Sequence, residues 1–351
     1  MSPNQNLKSQ SGFSMIELLV SLAVTTIVTG AAFALVGSSI KFASGTYNTT
    51  DAEQSLRAAH EVINRDLTTA GSGLKGMGNI SVPKTFVQNY LTQTPIVDPL
   101  NPNYVNLALV VSDDNVPANT AVPQASPAVN VMAGTDRLTM LTQDTSFNSG
   151  QAVTLLSGKI TFSGSNTNIL VPNAALFHTG EMYAIASGNS VAFGIVSSIA
   201  GSTLTLTNGD TYGINQTGSG TPINVVSVGG TQPTSLMRLQ IIHYYLNANN
   251  LLIRRVFGVP NVALVDSVVA EHVTGLQFRY LLNMTDANGF VPQPVRQLSN
   301  ANQQRVREVE TTVTVETAKA VNAVTANDNG RQSIATTTAT SVRNMQFRKA
   351  L

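Results

Sequence analysis

Phe13–Gly37, FSMIELLVSLAVTTIVTGAAFALVG, is an apolar run of 25 residues whose only formal charge is Glu17. At ~1.5 Å per residue, a helix of that length crosses a hydrocarbon layer of roughly 30 Å. The polar stretch before it, MSPNQNLKSQSG, carries Lys8 beside the starting amine. A basic residue there favours keeping that end in the cytoplasm and exporting the long remainder. Glu17 is the difficulty, because an ionisable group in lipid costs a few kcal/mol.

Three readings of this segment differ in what they do with Glu17. A cleavable secretory signal would use Ser38, Ser39 or Ala43–Ser44 as its small-residue site, but the apolar run is long for such a signal. A plain signal anchor fits the length and leaves the carboxylate without a purpose. Cleavage between Gly12 and Phe13 places a new amine four residues from Glu17, on the same helix face and about one turn away. The carboxylate then answers an N-terminal ammonium, its own or a neighbour's, and a paired charge in hydrocarbon is much cheaper than an orphan. A neighbour's ammonium would also set the axial register between packed helices.

Beyond Gly37 the helical pattern continues. Asp51–Ala70 lines up Ala52, Leu56, Ala59, Ile63 and Leu67 near one stripe, and Gly71 and Gly73 follow as a stop. We read an almost continuous helix from Phe13 to about Ala70, its second half packing against the exported domain. Ser38–Thr50 is a mediocre helix former, expected to fray near Gly45. Arg65 and Asp66 have two open readings, a solvated helix face or a subunit contact.

Residues 74–135 read as irregular, with seven prolines from Pro83 to Pro127, and Asn115–Asn130 as a loop. From Asp136 short β runs dominate: RLTML, QAVTLL, KITF, NILVP, EMYAIA, VAFGIVSSI and STLTLTNG. Leu236–Leu246 and Leu251–Phe257 form an expected hairpin around Asn247–Asn250. Leu239, Ile241, His243 and Tyr245 share one face of its first strand, and Leu251, Ile253, Arg255 and Phe257 one face of its second. Asp266–Gly275 reads as a short helix or turn before a strand at Leu276–Leu282. Arg307–Thr317 alternates as a strand with one wet face, and a polar insert, Asn322–Ser333, precedes the tail.

The expected fold class is therefore α+β: a long N-terminal helix, membrane-spanning in its first half, followed by a large β-rich exported domain. Its expected segments are a leader at 1–12, the membrane helix at 13–37, the helix continuation at 38–73, a loop- and β-rich region at 74–235, and a C-terminal β-rich region at 236–351.

Catalytic and cofactor chemistry find little support. Cysteine is absent, which excludes disulfides, thiolate chemistry and Cys-based metal sites. His60, His178, His243 and His272 stand in no metal-ligand spacing, and neither a G-x-S-x-G elbow nor a Walker loop occurs. His243 reads as a satisfied sheet residue and His60 as part of the helix surface or its packing seam. Asp286 with Asn288-Gly289, and Asp328, read as turns rather than calcium loops. Tyr244 and Tyr245 beside Arg254 and Arg255 can stack on a ligand or a nucleic-acid strand, or the arginines can cover a sheet edge. A net charge of +1 with no basic run gives no sign of a nucleic-acid surface, and no enzyme, cofactor or metal is expected.

Gly12-Phe13-Ser14-Met15-Ile16-Glu17-Leu18 closely resembles the signal of type IV prepilins and of type II secretion pseudopilins. The resemblance implies cleavage after Gly12 by a prepilin peptidase, N-methylation of Phe13 as the mature N-terminus, and pairing of Glu17 with a neighbouring terminal ammonium. The chain departs from major pilins in having Ala34 where the pattern would place a helix proline; Thr25, Thr26, Thr29 and Gly30, weak helix formers, could supply some adaptability instead. Glu61–Gly71, the Ile253-Arg254-Arg255 hairpin, Phe278–Tyr280, Val306–Val315 and Val342-Arg343-Asn344 resemble the PilW family of minor pilins and, more distantly, the J-type minor pseudopilin. That resemblance implies a pilin-like fold and a non-enzymatic minor subunit that initiates or caps a type IV pilus, with roles in adhesion, twitching motility or DNA uptake. Its implied partners are other minor and major pilins, the inner-membrane assembly platform and the membrane lipid before assembly. The implied location is the bacterial inner membrane, single-pass with a periplasmic bulk, then the pilus or cell surface. A type II secretion pseudopilin, a pilus-associated adhesin using residues 74–235 and an anchored exported enzyme are the other readings.

Overall fold

The computed structural model describes residues 12–74, 80–91, 97–98, 101–123, 128–156, 158–187, 190–215, 234–283, 294–298, 305–321 and 329–342. Lys8 and the rest of the leader before Gly12, Asp286, Asn288, Gly289, Asp328, Arg343 and Asn344 lie outside them.

Helix α1 runs from Met15 to Thr69. Among the described residues it is followed by eighteen strands: β1 (Ile80–Pro83), β2 (Val97–Asp98), β3 (Asn101–Leu107), β4 (Val110–Asp113), β5 (Arg137–Gln143), β6 (Val153–Leu155), β7 (Ile160–Ser163), β8 (Asn166–Leu170), β9 (Met182–Ser187), β10 (Ser190–Ile195), β11 (Ser198–Ala200), β12 (Thr203–Thr207), β13 (Thr234–Leu246), β14 (Leu252–Val259), β15 (Ala263–Ala270), β16 (Val273–Leu282), β17 (Val306–Glu316) and β18 (Ser333–Ser341). A long apolar helix followed by antiparallel sheets is the α+β, pilin-like arrangement expected.

The chain forms two compact units. One comprises the helix up to Asp51 with Thr317–Gln332. The expected fraying at Gly45 does not occur, and the helix passes through it unbroken. A side-chain methyl of Val321 comes close to where a Cβ on Gly45 would stand, and the Thr49 hydroxyl donates to Gln332 Oε1 at 3.2 Å. These contacts hold a weak helix-forming stretch in shape where propensity alone would not.

In the other unit, Ala52, Leu56, Ala59, Ile63 and Leu67 are all buried, the stripe expected from their 3.6-residue spacing. They join a core built with Leu138, Met140, Leu239, Ile241, Tyr244 and Phe257. Gly71 and Gly73 end the helix with φ of 73° and 71°, a conformation costly for other residues. The Gly71 amide leaves the helix ladder and donates to Leu141 O on β5 at 2.8 Å.

Strand β13 organises the main sheet. It is paired by β9 and β14 along one edge, and by β6 and β5 along the other. Almost every residue of it is buried, which explains why LMRLQIIHYYL is apolar nearly throughout instead of alternating. Ile241, His243 and Tyr245 lie opposite Phe257, Arg255 and Ile253, the shared face expected of the hairpin. A small sheet in the order β11-β12-β8-β7 contributes Ile169, Leu204 and Leu206 to a second apolar cluster with Phe147, Phe177 and Tyr183. Sheet β16-β17-β18 has the expected alternation in β17, with Val309, Thr311, Val313 and Val315 inward.

Several segments depart from the sequence reading. Residues 74–135 contain four strands rather than an irregular stretch. Asp266–Gly275 is neither helix nor turn: its first half belongs to β15, a bend at Glu271–His272 follows, and β16 begins at Val273. β15 pairs along its length with β14, so ladder hydrogen bonds outweigh its weak alternation. Ser333 is the first residue of β18, not the end of the insert.

Candidate assembly site at the N-terminus and its anchor

Ser14 stands immediately before α1, and Glu17 is the third helical residue. The Ser14 N–H donates to Glu17 Oε2 at 3.0 Å. This is half of a capping box, in which S-x-x-E turns the carboxylate back onto a donor that the first turn leaves unsatisfied. The positive end of the helix dipole favours the same charge. Glu17 therefore has a local structural role that the sequence reading overlooked, although Ser14-Met15-Ile16-Glu17 carried the signal. A carboxylate accepts several hydrogen bonds, so the cap leaves capacity for an ammonium as well.

Gly12 and Phe13 lie exposed just ahead of the helix, with Phe13 at 84%. Ile16, Leu19, Val20, Ile27, Phe33, Ile40 and Phe42 are exposed along it, an apolar surface of the kind lipid or a neighbouring helix covers. The helix is long and apolar enough to cross a membrane. Several of its hydroxyls bond back to the helix itself: Thr25 and Thr26 donate to Ser21 O and Leu22 O at 2.7 and 2.8 Å, and Ser39 donates to Leu35 O at 2.9 Å. Such back-bonds let polar side chains sit in hydrocarbon without another partner.

Asp66 carries the attachment of this helix to the sheet. Arg65 and Asp66 differ in exposure, the first side chain 66% and the second 6% exposed, while Arg65 Nε stays 3.6 Å from Asp66 Oδ1. Asp66 Oδ2 accepts from the Tyr244 hydroxyl at 2.6 Å and from Arg254 Nε at 2.5 Å. Tyr244 and Arg254 are directly paired across β13 and β14, so one carboxylate grips both strands of the hairpin. Burial raises the Tyr244 hydroxyl far above its usual range, and the Asp66 charge adds to that. Burial lowers Arg254, but Asp66, with Tyr244 adding to it, more than offsets that and raises it. Neither open reading of Arg65-Asp66 describes Asp66, which is an internal clasp.

The neighbouring pair repeats the arrangement on the other face. Arg255 is fully buried; its Nε and Nη2 donate to the two oxygens of Asp266 at 2.6 and 2.7 Å, and its Nη1 donates to Pro123 O at 2.6 Å. Its guanidinium also lies 5.6 Å from the Tyr245 ring centroid. The tyrosines and arginines of the hairpin are thus occupied within the chain. Neither a stacking platform for ligand or nucleic acid nor an arginine cover on an open edge describes them.

A third network joins Arg238 to Glu181 at 2.5 Å and Asp144 at 2.8 Å, with Tyr183 and His178 completing the contacts of Glu181. His243 is buried, with Nδ1 2.8 Å from Thr139 Oγ1, as expected of a satisfied sheet residue. Desolvation, then the charges of Arg137 and Arg255, hold its pKa well below the ordinary value. His60 sits in the helix seam, its ring nitrogens 3.1 Å from Thr336 O and 2.8 Å from Thr338 Oγ1. Among the described residues no group of three or more His, Asp and Glu is placed to hold a metal ion.

The family model of the prokaryotic N-terminal methylation motif matches residues 7–33, which take in Gly12, Phe13, Ser14 and Glu17. The match supports a type IV pilin-like protein. It implies processing by prepilin peptidase and association with pilus components, and with the apolar helix it is consistent with anchoring in the inner membrane. No curated protein and no solved structure matches the chain.

Proposed function

We propose that the chain is a minor, non-enzymatic pilin of the PilW kind, cut after Gly12, N-methylated on Phe13, and built into the initiating or tip complex of a type IV pilus. The observation that carries this reading is the methylation motif at residues 7–33 running directly into an exposed apolar helix. In the membrane, lipid covers that helix while the β-rich domain stands in the periplasm. On assembly, Glu17 meets the Phe13 ammonium of an adjacent subunit and fixes the stagger between helices. Its cap on Ser14 orients the carboxylate at the helix end beforehand. The Asp66 clasp passes any load on the helix to strands β13 and β14. A domain of this bulk suits the end of a filament better than every position along it.

The N-terminal sequence and mass of the mature chain test the reading. A start at methylated Phe13 is expected; a start beyond Ser38 would overturn it. Copurification with pilus subunits is expected, whereas copurification with a type II secretion machine would replace the pilus assignment by a pseudopilin.

A further inference from the structure

The chain leaving β17 and the chain entering β18 belong to the same compact unit as the helix up to Asp51, and they follow that helix as the two arms of a hairpin. At the base, the Thr317 N–H donates to Gln332 O at 2.9 Å; one step further out, the Val321 N–H donates to Gly330 O at 2.7 Å. The base meets α1 at Thr49 through Gln332, and the outer rung meets it at Gly45 through the buried Val321. Going from base to outer rung is therefore going back along α1, toward the apolar run that ends at Gly37. Lys41 is the next position on that face, since residues four apart stack on a helix.

The helix rise sets the depth of these contacts. At ~1.5 Å per residue, Lys41 stands about 6 Å past Gly37 and Gly45 about 12 Å past it. Lipid head groups occupy roughly 5–7 Å on each side of the hydrocarbon. Lys41 thus lies at head-group level, and the outer rung of the hairpin one helix turn above it. Phe42 and Tyr47 are exposed on the same stretch, and a tyrosine ring suits a lipid–water boundary.

The charges there have one sign in excess. Lys41 and Lys319 are exposed and Arg331 is half-buried, and among the described residues none of the three is ion-paired. Ser38–Asp51 and Thr317–Gln332 set two acids against them, Asp328 and Asp51, the latter about 9 Å further along α1 than Gly45. We propose that this hairpin is a foot on the bilayer, with Lys41, Lys319 and Arg331 binding the phosphates of anionic lipid where α1 emerges. Because the hairpin braces α1 at Gly45 and Thr49, the same contact limits how far the span can slide or tilt. Each cation near an anionic surface strengthens the contact by about fivefold, an effect that salt screens.

The inference rests on α1 spanning a bilayer, and the test keeps the two apart. The chain has no cysteine, so a single Ala320→Cys or Val24→Cys carries a spin label cleanly. The full chain is reconstituted into phosphatidylcholine vesicles with and without phosphatidylglycerol. A nickel chelate fixed to the lipid head groups then relaxes any label that touches them. For the Ala320→Cys label, relaxation is expected to be about threefold or more stronger with phosphatidylglycerol, and to fall back at raised salt and in K319Q/R331Q. Equal relaxation in both vesicles, with the Val24→Cys label accessible to oxygen in the hydrocarbon, would overturn the foot and leave the span standing. A Val24→Cys label found in water would remove both. Dipolar broadening between Ala320→Cys labels in vesicles without anionic lipid would show that a second copy of the chain covers the hairpin instead.

Discussion

Replacing Asp66 by alanine tests how the helix is held. The substitution strands a Tyr244 hydroxyl in a fully buried side chain, and a buried donor without an acceptor costs ~1–3 kcal/mol. Arg254 loses its carboxylate too, but its side chain keeps 20% exposure and can turn partly to water. That discounts the ~3–5 kcal/mol typical of breaking a fully buried pair, leaving about 1 kcal/mol for the arginine. The sum is roughly 2–4 kcal/mol, which at ~2–4 °C per kcal/mol for a domain of this order lowers Tm by roughly 5–15 °C. Asp66→Asn keeps one acceptor and should lose about half as much. Tyr244→Phe leaves the ion pair and should lose about 1 kcal/mol. Thermal and urea unfolding of the full chain in detergent, followed by near-ultraviolet circular dichroism, measures all three. A D66A loss under 0.5 kcal/mol would refute the clasp, as would additivity of D66N with Y244F, since groups in contact should couple.

The remaining predictions concern single positions. Arg255→Met removes three hydrogen bonds from a buried guanidinium; since Asp266 stays partly hydrated, the loss should be about 2–3 kcal/mol by urea unfolding. Leu67→Ala opens the helix–sheet core and should cost about 2–5 kcal/mol by the same measurement. Gly73→Ala must hold a positive φ beside the Gln143 side chain and should cost about 1–3 kcal/mol. His243 should stay neutral in the folded chain at pH 5. The unfolded ring takes up a proton below about 6.5, so this group's contribution is complete above that pH and falls as pH drops. Ring carbon shifts in an NMR titration check it, and a folded-state midpoint near 6.5 would contradict the burial argument.

What could be read in advance tracked the range of the interactions. The helix, its buried stripe, its glycine stop and the β13–β14 hairpin have local periodic signals, and each is present. Strand β15, VDSVV at its centre, lacks alternation because much of it is exposed on both faces, so only its pairing with β14 identifies it. Strand β18, SIATTTATS, is built from small hydroxyl residues and is recognisable through its ladder with β17. The four strands between Ile80 and Asp113 were obscured by prolines and asparagines at their ends. Asp66 illustrates the limit most plainly: its partners lie 178 and 188 residues away, and no local pattern announces them. Deleting Leu74–Ser235 is also a poorer test of adhesion than the sequence implied, because it removes β5 and β9, which flank β13 on both edges.

The role assigned to Glu17 rests on charge, and Glu17→Gln isolates it. Glutamine can still accept from the Ser14 N–H at the same capping position, so the helix start is preserved while the charge is lost. Quantifying this variant in purified filaments against the membrane pool, by immunoblot beside the wild type, is the direct measurement. The account predicts a chain that is processed and stable but at least tenfold depleted from filaments. Incorporation at the wild-type level would mean that Glu17 only caps its own helix.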